Sequence, residues 1–334
     1  MMAKVACVAA LLLAACGGGS SSPDAAVALD GGLCEPNASR ICQDGEAYYV
    51  DSCGNLGDRI EVCDDERACN EQLGACCFPV ATEGAFMGAP VFTEVTWSAP
   101  AASAELAVGY SIATFSTGGQ AQTLRYSTQI DDVEVLFGLR ADLADSGTAA
   151  GEGIDFVAYI GSQDLANAET SAPTYANGGA DGGGFVRLNR PTDLAPRTSI
   201  ALRIVREEEQ GEADWFAAYT TIDEGEEELM GRLLIPRASA GTPARLAGGS
   251  HLMYSGVLRD NAFTLADVGK VQVAVSVPTY DGDAATGASF DYPLLPPSDT
   301  PFPNADVTYD PLEDRVVVTQ GGVSPKCSQP GELF

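Results

Sequence analysis

Ten cysteines, one histidine and 47 acidic residues are the side chains in this sequence of 334 residues from which chemistry could be built. Eight of the cysteines follow the apolar N-terminal segment that holds Cys7 and Cys16: Cys34, Cys42, Cys53, Cys63, Cys69, Cys76, Cys77 and Cys327. Seven crowded between residues 34 and 77 and one distant, an even total, read as the disulfide framework of an exported protein. The intervening segments from Cys34 to Cys76, of 7, 10, 9, 5 and 6 residues, contain no C-x₂-C knuckle of the kind that holds zinc. Eight cysteines allow about a hundred pairings, and the sequence selects none of them outright. If the six from Cys34 to Cys76 close on one another, Cys77 and Cys327 remain as partners.

The other candidates for chemistry are sparser. Glycoside hydrolysis needs two carboxylates roughly 5–10 Å apart, and Glu152 and Asp155, flanking the start of an apolar run, are the best local pair. Solvated charges at a strand end are the plainer reading of both. Serine hydrolysis needs a base beside its nucleophile. The single histidine, His251, follows Ser250, but neighbours on a strand point to opposite faces and no G-x-S-x-G elbow occurs in the chain. Calcium needs six to eight oxygens; Asp181 in a Gly-rich loop, and Asp281 and Asp283 with Asp291 beyond them, are weak candidates, since Asp-Gly is also the favoured turn pair. Gly182-Gly183-Gly184 lacks the Lys and the helix of a phosphate loop. Trp97, Trp215 and Tyr219 could stack on sugar rings. Trp215 and Tyr219 share one face of a strand whose other face carries Phe216, so they point outward if Phe216 is core.

Acidic residues outnumber basic ones 47 to 18, for a net charge of −29. Such a surface repels phosphate backbones, which argues against nucleic-acid partners. Multi-histidine metal sites are excluded by the single histidine. With 45% apolar residues the chain can bury a large core.

The elements that must position these residues read as strands. Val133–Phe137, Ile154–Ile160, Ser199–Val205, Trp215–Thr221, Leu229–Ile235, Val271–Val277 and Val316–Thr319 are apolar or alternating runs separated by Gly, Asp, Asn and Pro clusters. Glu207 to Glu212 reads as a solvated hairpin loop between two of them. No capped helical stripe interrupts the series, so the expected fold is mainly β: an antiparallel β-sandwich of the jelly-roll or lectin-like kind, preceded by a small disulfide-rich module. The expected divisions are a signal segment over 1–15, a flexible tether over 16–33, the Cys-rich module over 34–77, the sandwich over 78–327 and a tail over 328–334.

The N-terminus places Lys4 before an eleven-residue apolar run, Val5 to Ala15. That run is too short to span a hydrocarbon core of about 30 Å as a helix, and suits a signal h-region. Leu13-Ala14-Ala15-Cys16 resembles the bacterial lipobox, which implies cleavage before Cys16 and acylation of that residue. Acyl chains at about 0.8 kcal/mol per buried methylene hold a protein durably to a membrane. Gly17 resembles the pattern for sorting to the outer membrane. The Gly- and Ser-rich residues that follow cannot bury enough surface to order themselves.

Two further resemblances concern the folded parts. The run from Cys34 to Cys76, with its cysteine spacing and Gly turns, resembles small modules of surface lipoproteins in myxobacteria and their relatives. The order Gly178–Phe185, Leu194–Arg206, Trp215–Tyr219, Glu228–Pro236 and Leu246–Gly256 resembles a family of secreted bacterial proteins known only as a domain of unknown function. That resemblance implies a lectin-like sandwich and carries over no catalytic residues. The functional expectation is a membrane-anchored envelope protein that binds a glycan or another surface ligand without catalysis and without a required cofactor, calcium being optional. The rivals are a carbohydrate-active hydrolase and an envelope scaffold whose Cys-rich module holds a protein partner.

Overall fold

The computed structural model describes residues 34–65, 67–78, 85–86, 91–99, 102–115, 121–142, 151–256, 263–264, 269–291, 305–321, 327–328 and 331–333. The signal segment, Cys16 and the tether lie outside them. No helix among the described residues is long and apolar enough to cross a membrane.

The strands of the Cys-rich region are β1 (Ser39–Gln43), β2 (Glu46–Val50), β3 (Leu56–Val62), β4 (Ala68–Asn70) and β5 (Ala75–Cys77). The first half of the large domain follows with β6 (Ala85–Phe86), β7 (Val91–Trp97), β8 (Glu105–Phe115), β9 (Ala121–Ile130), β10 (Val133–Asp142) and β11 (Gly151–Ala158). Next come β12 (Ala168–Thr170), β13 (Tyr175–Gly179), β14 (Phe185–Pro191), β15 (Ser199–Gln210), β16 (Ala213–Ile222), β17 (Glu228–Pro236) and β18 (Leu246–Gly256). The last are β19 (Phe263–Thr264), β20 (Val271–Ser276), β21 (Thr279–Tyr280), β22 (Asp283–Ala284), β23 (Ala288–Asp291), β24 (Ala305–Asp310), β25 (Arg315–Gln320) and β26 (Gly331–Glu332). Two 3-10 turns are the sole helical elements among the described residues.

In the Cys-rich region β1, β2 and β3 form an antiparallel sheet and β4 pairs with β5. Asp44 and Gly45, both at positive φ, close the β1–β2 hairpin as a two-residue turn of this kind requires. The bridges are Cys34–Cys53, Cys42–Cys69, Cys63–Cys76 and Cys77–Cys327. Three close within the module, and the fourth joins it to the end of the large domain.

The large domain is an antiparallel β-sandwich. One sheet runs β13-β14-β11-β10-β9-β18-β7-β23-β26 and the other β12-β17-β16-β15-β8-β20-β25-β24. Alternation decides which face each strand buries. Leu106, Val108, Tyr110 and Ile112 of β8 point inward, as do Ile200, Leu202 and Ile204 of β15 and Leu124 and Tyr126 of β9, and one apolar cluster fills the space between the sheets. The expected loop over Glu207–Glu212 is instead strand: β15 runs to Gln210 and only Gly211 and Glu212 turn the chain. Cationic partners stabilise it there: Arg232 of β17, two strands across, at 2.6 Å from Glu208, and Arg237, just beyond β17, at 3.1 Å from Glu209.

Candidate functional site

Several residues singled out in the sequence are brought inside. Trp97 shares the inward parity of Val95 and is 3% exposed. Its Nε1 donates to Nδ1 of His251 at 2.8 Å. Trp97 is therefore part of the core and offers no surface to a sugar. His251 is enclosed by Trp97, Tyr110 and Tyr126, all edge-on to its ring. Burial pushes its pKa down to about 3, so it is neutral and has no access to a substrate. Ser250 points the other way and donates to Glu94 at 2.8 Å.

Glu152 and Asp155 do not converge. They are three residues apart on β11 and so occupy opposite faces. Glu152 accepts the backbone N–H of Leu194 at 3.1 Å. Asp155, 1% exposed, sits on the outer face of its sheet with the Arg125 guanidinium paired to it and Arg187 and Arg140 at 3.7 and 3.9 Å. Its role is to neutralise buried guanidinium groups, because a lone charge there would be costly.

The calcium candidates are likewise separate. Asp281 and Gly282, both at positive φ, form the two-residue turn between β21 and β22. The Asp281 carboxylate accepts the N–H groups of Ala104 and Glu105 at 3.0 and 2.8 Å. Asp283 and Asp291 are exposed, and the Asp181 side chain lies outside the described residues. Among the described residues no three carboxylates gather; Cys34, Asp51 and Cys53 do, but both cysteines are spent in a disulfide.

Trp215 and Tyr219 stand on the outer face of the second sheet, opposite Phe216, which is core. Both rings are covered. Arg232 lies 4.8 Å above Trp215, which is 5% exposed, and Arg203 lies 4.5 Å above Tyr219. Trp215 Nε1 donates to Gln210, and the Tyr219 hydroxyl to Glu207, whose hydrogen bond raises the hydroxyl above its ordinary range.

Beside them, on this same outer face, lies a trough that sequence reading did not anticipate. It crosses β15, β8, β20 and β25, about 14 Å at the usual strand spacing. Small outward residues form its floor: Gly109, Ser111, Ser199, Ala201, Ala274 and Ser276. Two lobes of about 260 and 390 Å³ meet over Ser111, Ser199, Ala274 and Arg315. The first is flanked by Asp223 and Glu313, the second by Arg197, Gln272 and Arg315. Asp223 is held by the Ser199 N–H at 2.9 Å. Arg315 is held by Asp310 at 3.3 Å and Glu313 at 3.8 Å. The trough thus sets hydroxyls, an amide, guanidinium groups and carboxylates around an open floor of small residues.

Fold and site together define an antiparallel β-sandwich with a disulfide-linked Cys-rich module and an open trough on one outer face. The sequence matches no known family model and none of the curated proteins with which it was compared.

Proposed function

We propose that the chain is a bacterial envelope lipoprotein, anchored to the outer membrane through lipid on Cys16, that binds a glycan along this trough without catalysis. The lipobox-like Leu13–Cys16 and the tether support the anchoring. The observation that carries the binding reading is the trough itself, an exposed channel edged by polar side chains on a sheet floor, within the usual 300–1,000 Å³ range of ligand sites in its larger lobe. Small residues at its base let a chain-like ligand approach the sheet while hydroxyl, amide and guanidinium groups reach its substituents.

A hydrolase is the second reading, because Asp223 and Glu313 flank one lobe together. One experiment separates the two: the acylated protein, in detergent, is incubated with a panel of soluble polysaccharides, with calcium and with chelator, and both retention and new reducing ends are recorded. Retention without new ends supports binding, and its loss on chelation assigns calcium a part. New ends that vanish in Asp223→Asn establish the hydrolase. Silence in both readouts overturns the glycan reading in favour of an envelope protein partner. Intact mass of the N-terminal peptide, with Cys16→Ala as control, tests the anchor.

A further inference from the structure

One end of the trough departs from the charge of the molecule, while the other carries Asp223 and Glu313. In a chain of net charge −29, the larger lobe is lined by Arg197 and Arg315 and by no carboxylate among the described residues. Most arginines among the described residues are matched to acids, as Arg203 is to Glu227 and Arg232 to Glu169 and Glu208. Arg197 is exposed and has no such partner among the described residues, where its one hydrogen bond runs from its backbone N–H to the Ile112 carbonyl at 2.7 Å.

Its backbone is also unusual. Ala195-Pro196-Arg197-Thr198 is closed by the Thr198 N–H on the Ala195 carbonyl at 3.2 Å, and Arg197 has φ +77°. A turn with Pro second and a positive φ third is the type II pattern, whose third position favours Gly or Asn. An arginine there costs of order 1–2 kcal/mol in backbone strain. Strain held at the rim of a site, by an exposed residue whose side chain has no hydrogen bond or ion pair among the described residues, is the kind of outlier that function retains. The turn is pinned against β8 on both sides, by Arg197 N–H to Ile112 and by Ile112 N–H to Thr198 at 2.9 Å. The backbone of Arg197 is thereby held at the mouth of the lobe that the residue lines.

We propose that this lobe recognises the carboxylate of an acidic sugar, Arg197 pairing with it and Arg315 and Gln272 completing the contact. The inference rests on the glycan reading above and narrows it. The ligand is a saccharide carrying an isolated acid group, because the net charge of the molecule repels a polyanion beyond the local reach of two guanidinium groups. At physiological salt that reach is about 8 Å.

The test uses the full acylated protein and a set of neutral-backbone oligosaccharides, each bearing one uronic acid, each measured as free acid and as methyl ester. The free acid should bind at least about tenfold tighter than its ester. Added salt should weaken the acid and leave the ester unchanged. Arg197→Asn, which removes the charge and tolerates a positive φ, should erase the preference, and Arg245→Asn, at an exposed arginine outside the trough, should keep it. Equal binding of acid and ester, or an undiminished preference in Arg197→Asn, overturns the proposal and leaves glycan binding standing. Binding of neutral polysaccharides but of neither acid nor ester does the same. Failure of every saccharide, charged or neutral, overturns both readings.

Discussion

At the scale of single residues, two side chains stand in places that elementary rules disfavour, for opposite reasons. His251 is the sole histidine and is wholly buried among aromatic rings. Its Nδ1 accepts from Trp97 and its Nε2 has no hydrogen-bond partner. The folded chain keeps it neutral down to about pH 3, through burial, whereas in the unfolded chain it titrates near 6.5. The stability tied to the neutral ring is complete above pH 6.5 and is lost as pH falls from there towards 3, at up to about 1.4 kcal/mol per pH unit. Denaturant titrations between pH 6 and 4 should show that extra slope in the wild type and its disappearance in His251→Gln. Identical slopes would mean that the ring is already charged in the native state. Arg197 is the converse, exposed and strained. Arg197→Gly relieves about 1–2 kcal/mol of strain and adds about 0.4–1 kcal/mol of unfolded-state entropy. We expect a net gain near 0.5–1 kcal/mol in unfolding free energy together with loss of the acid preference. A loss of stability would show that the guanidinium serves the fold rather than a ligand.

At the scale of elements, the sheets tolerate no bulk at certain close approaches. Gly249 lies where β18 rejoins β9 after an irregular step from Leu246. A Cβ there would meet the Ser127 carbonyl oxygen at 2.1 Å and the Tyr126 ring at 2.7 Å. Since the carbonyl belongs to a central strand, Gly249→Ala should cost about 1–3 kcal/mol, read as a lower denaturant midpoint. A neutral outcome would mean that the β9–β18 ladder shifts freely. The elements legible in the sequence were those with dense β-branched or aromatic runs, such as β10, β16, β20 and β25. β8 escaped because its outward residues, Ala107, Gly109, Ser111 and Ala113, are small rather than charged, so that Leu106-Ala107-Val108-Gly109-Tyr110-Ser111-Ile112 shows little polar contrast. Gly109 and Ser111 are also part of the trough floor, so the strand and the site were hidden by one cause. The acidic run Glu207–Glu209 misled in the other direction. Its charge suggested solvent, but at the end of this hairpin Arg232, two strands across on β17, and Arg237, just past that strand, neutralise it. The trough draws on residues near 110, 200, 274 and 315, whose adjacency is set by sheet order and not by spacing along the chain. The local signal within reach was Pro196-Arg197, an arginine where a turn wants glycine.

At the scale of the whole molecule, the pairing left over by elimination, Cys77 with Cys327, has the widest consequence. It closes a loop of 250 residues, against 13 to 27 for the other three bridges. The strands nearest its C-terminal end are structural partners of early ones. β23 pairs with β7 in one sheet, while β25 joins β8 through β20 in the other. The last part of the chain thus completes both layers, and holding it near residue 77 removes much of the freedom that the unfolded chain would regain. Asp306 seats the end of the bond by accepting the N–H groups of Cys327 and Ser328 at 3.0 and 2.8 Å. Chain-entropy reasoning assigns such a loop about 4–5 kcal/mol. The double variant Cys77→Ser/Cys327→Ser should lose about that much, which for a domain of this size lowers Tm by roughly 10 °C. It should also raise the denaturant m-value, because an unfolded chain freed of the link exposes more surface. A fall in stability with an unchanged m-value would place the contribution of the bond in the native state, through the seat on Asp306. In that case Asp306→Asn alone should reproduce much of the loss. A rise in m together with the fall would place it in the unfolded chain, and Asp306→Asn should then leave most of the stability intact.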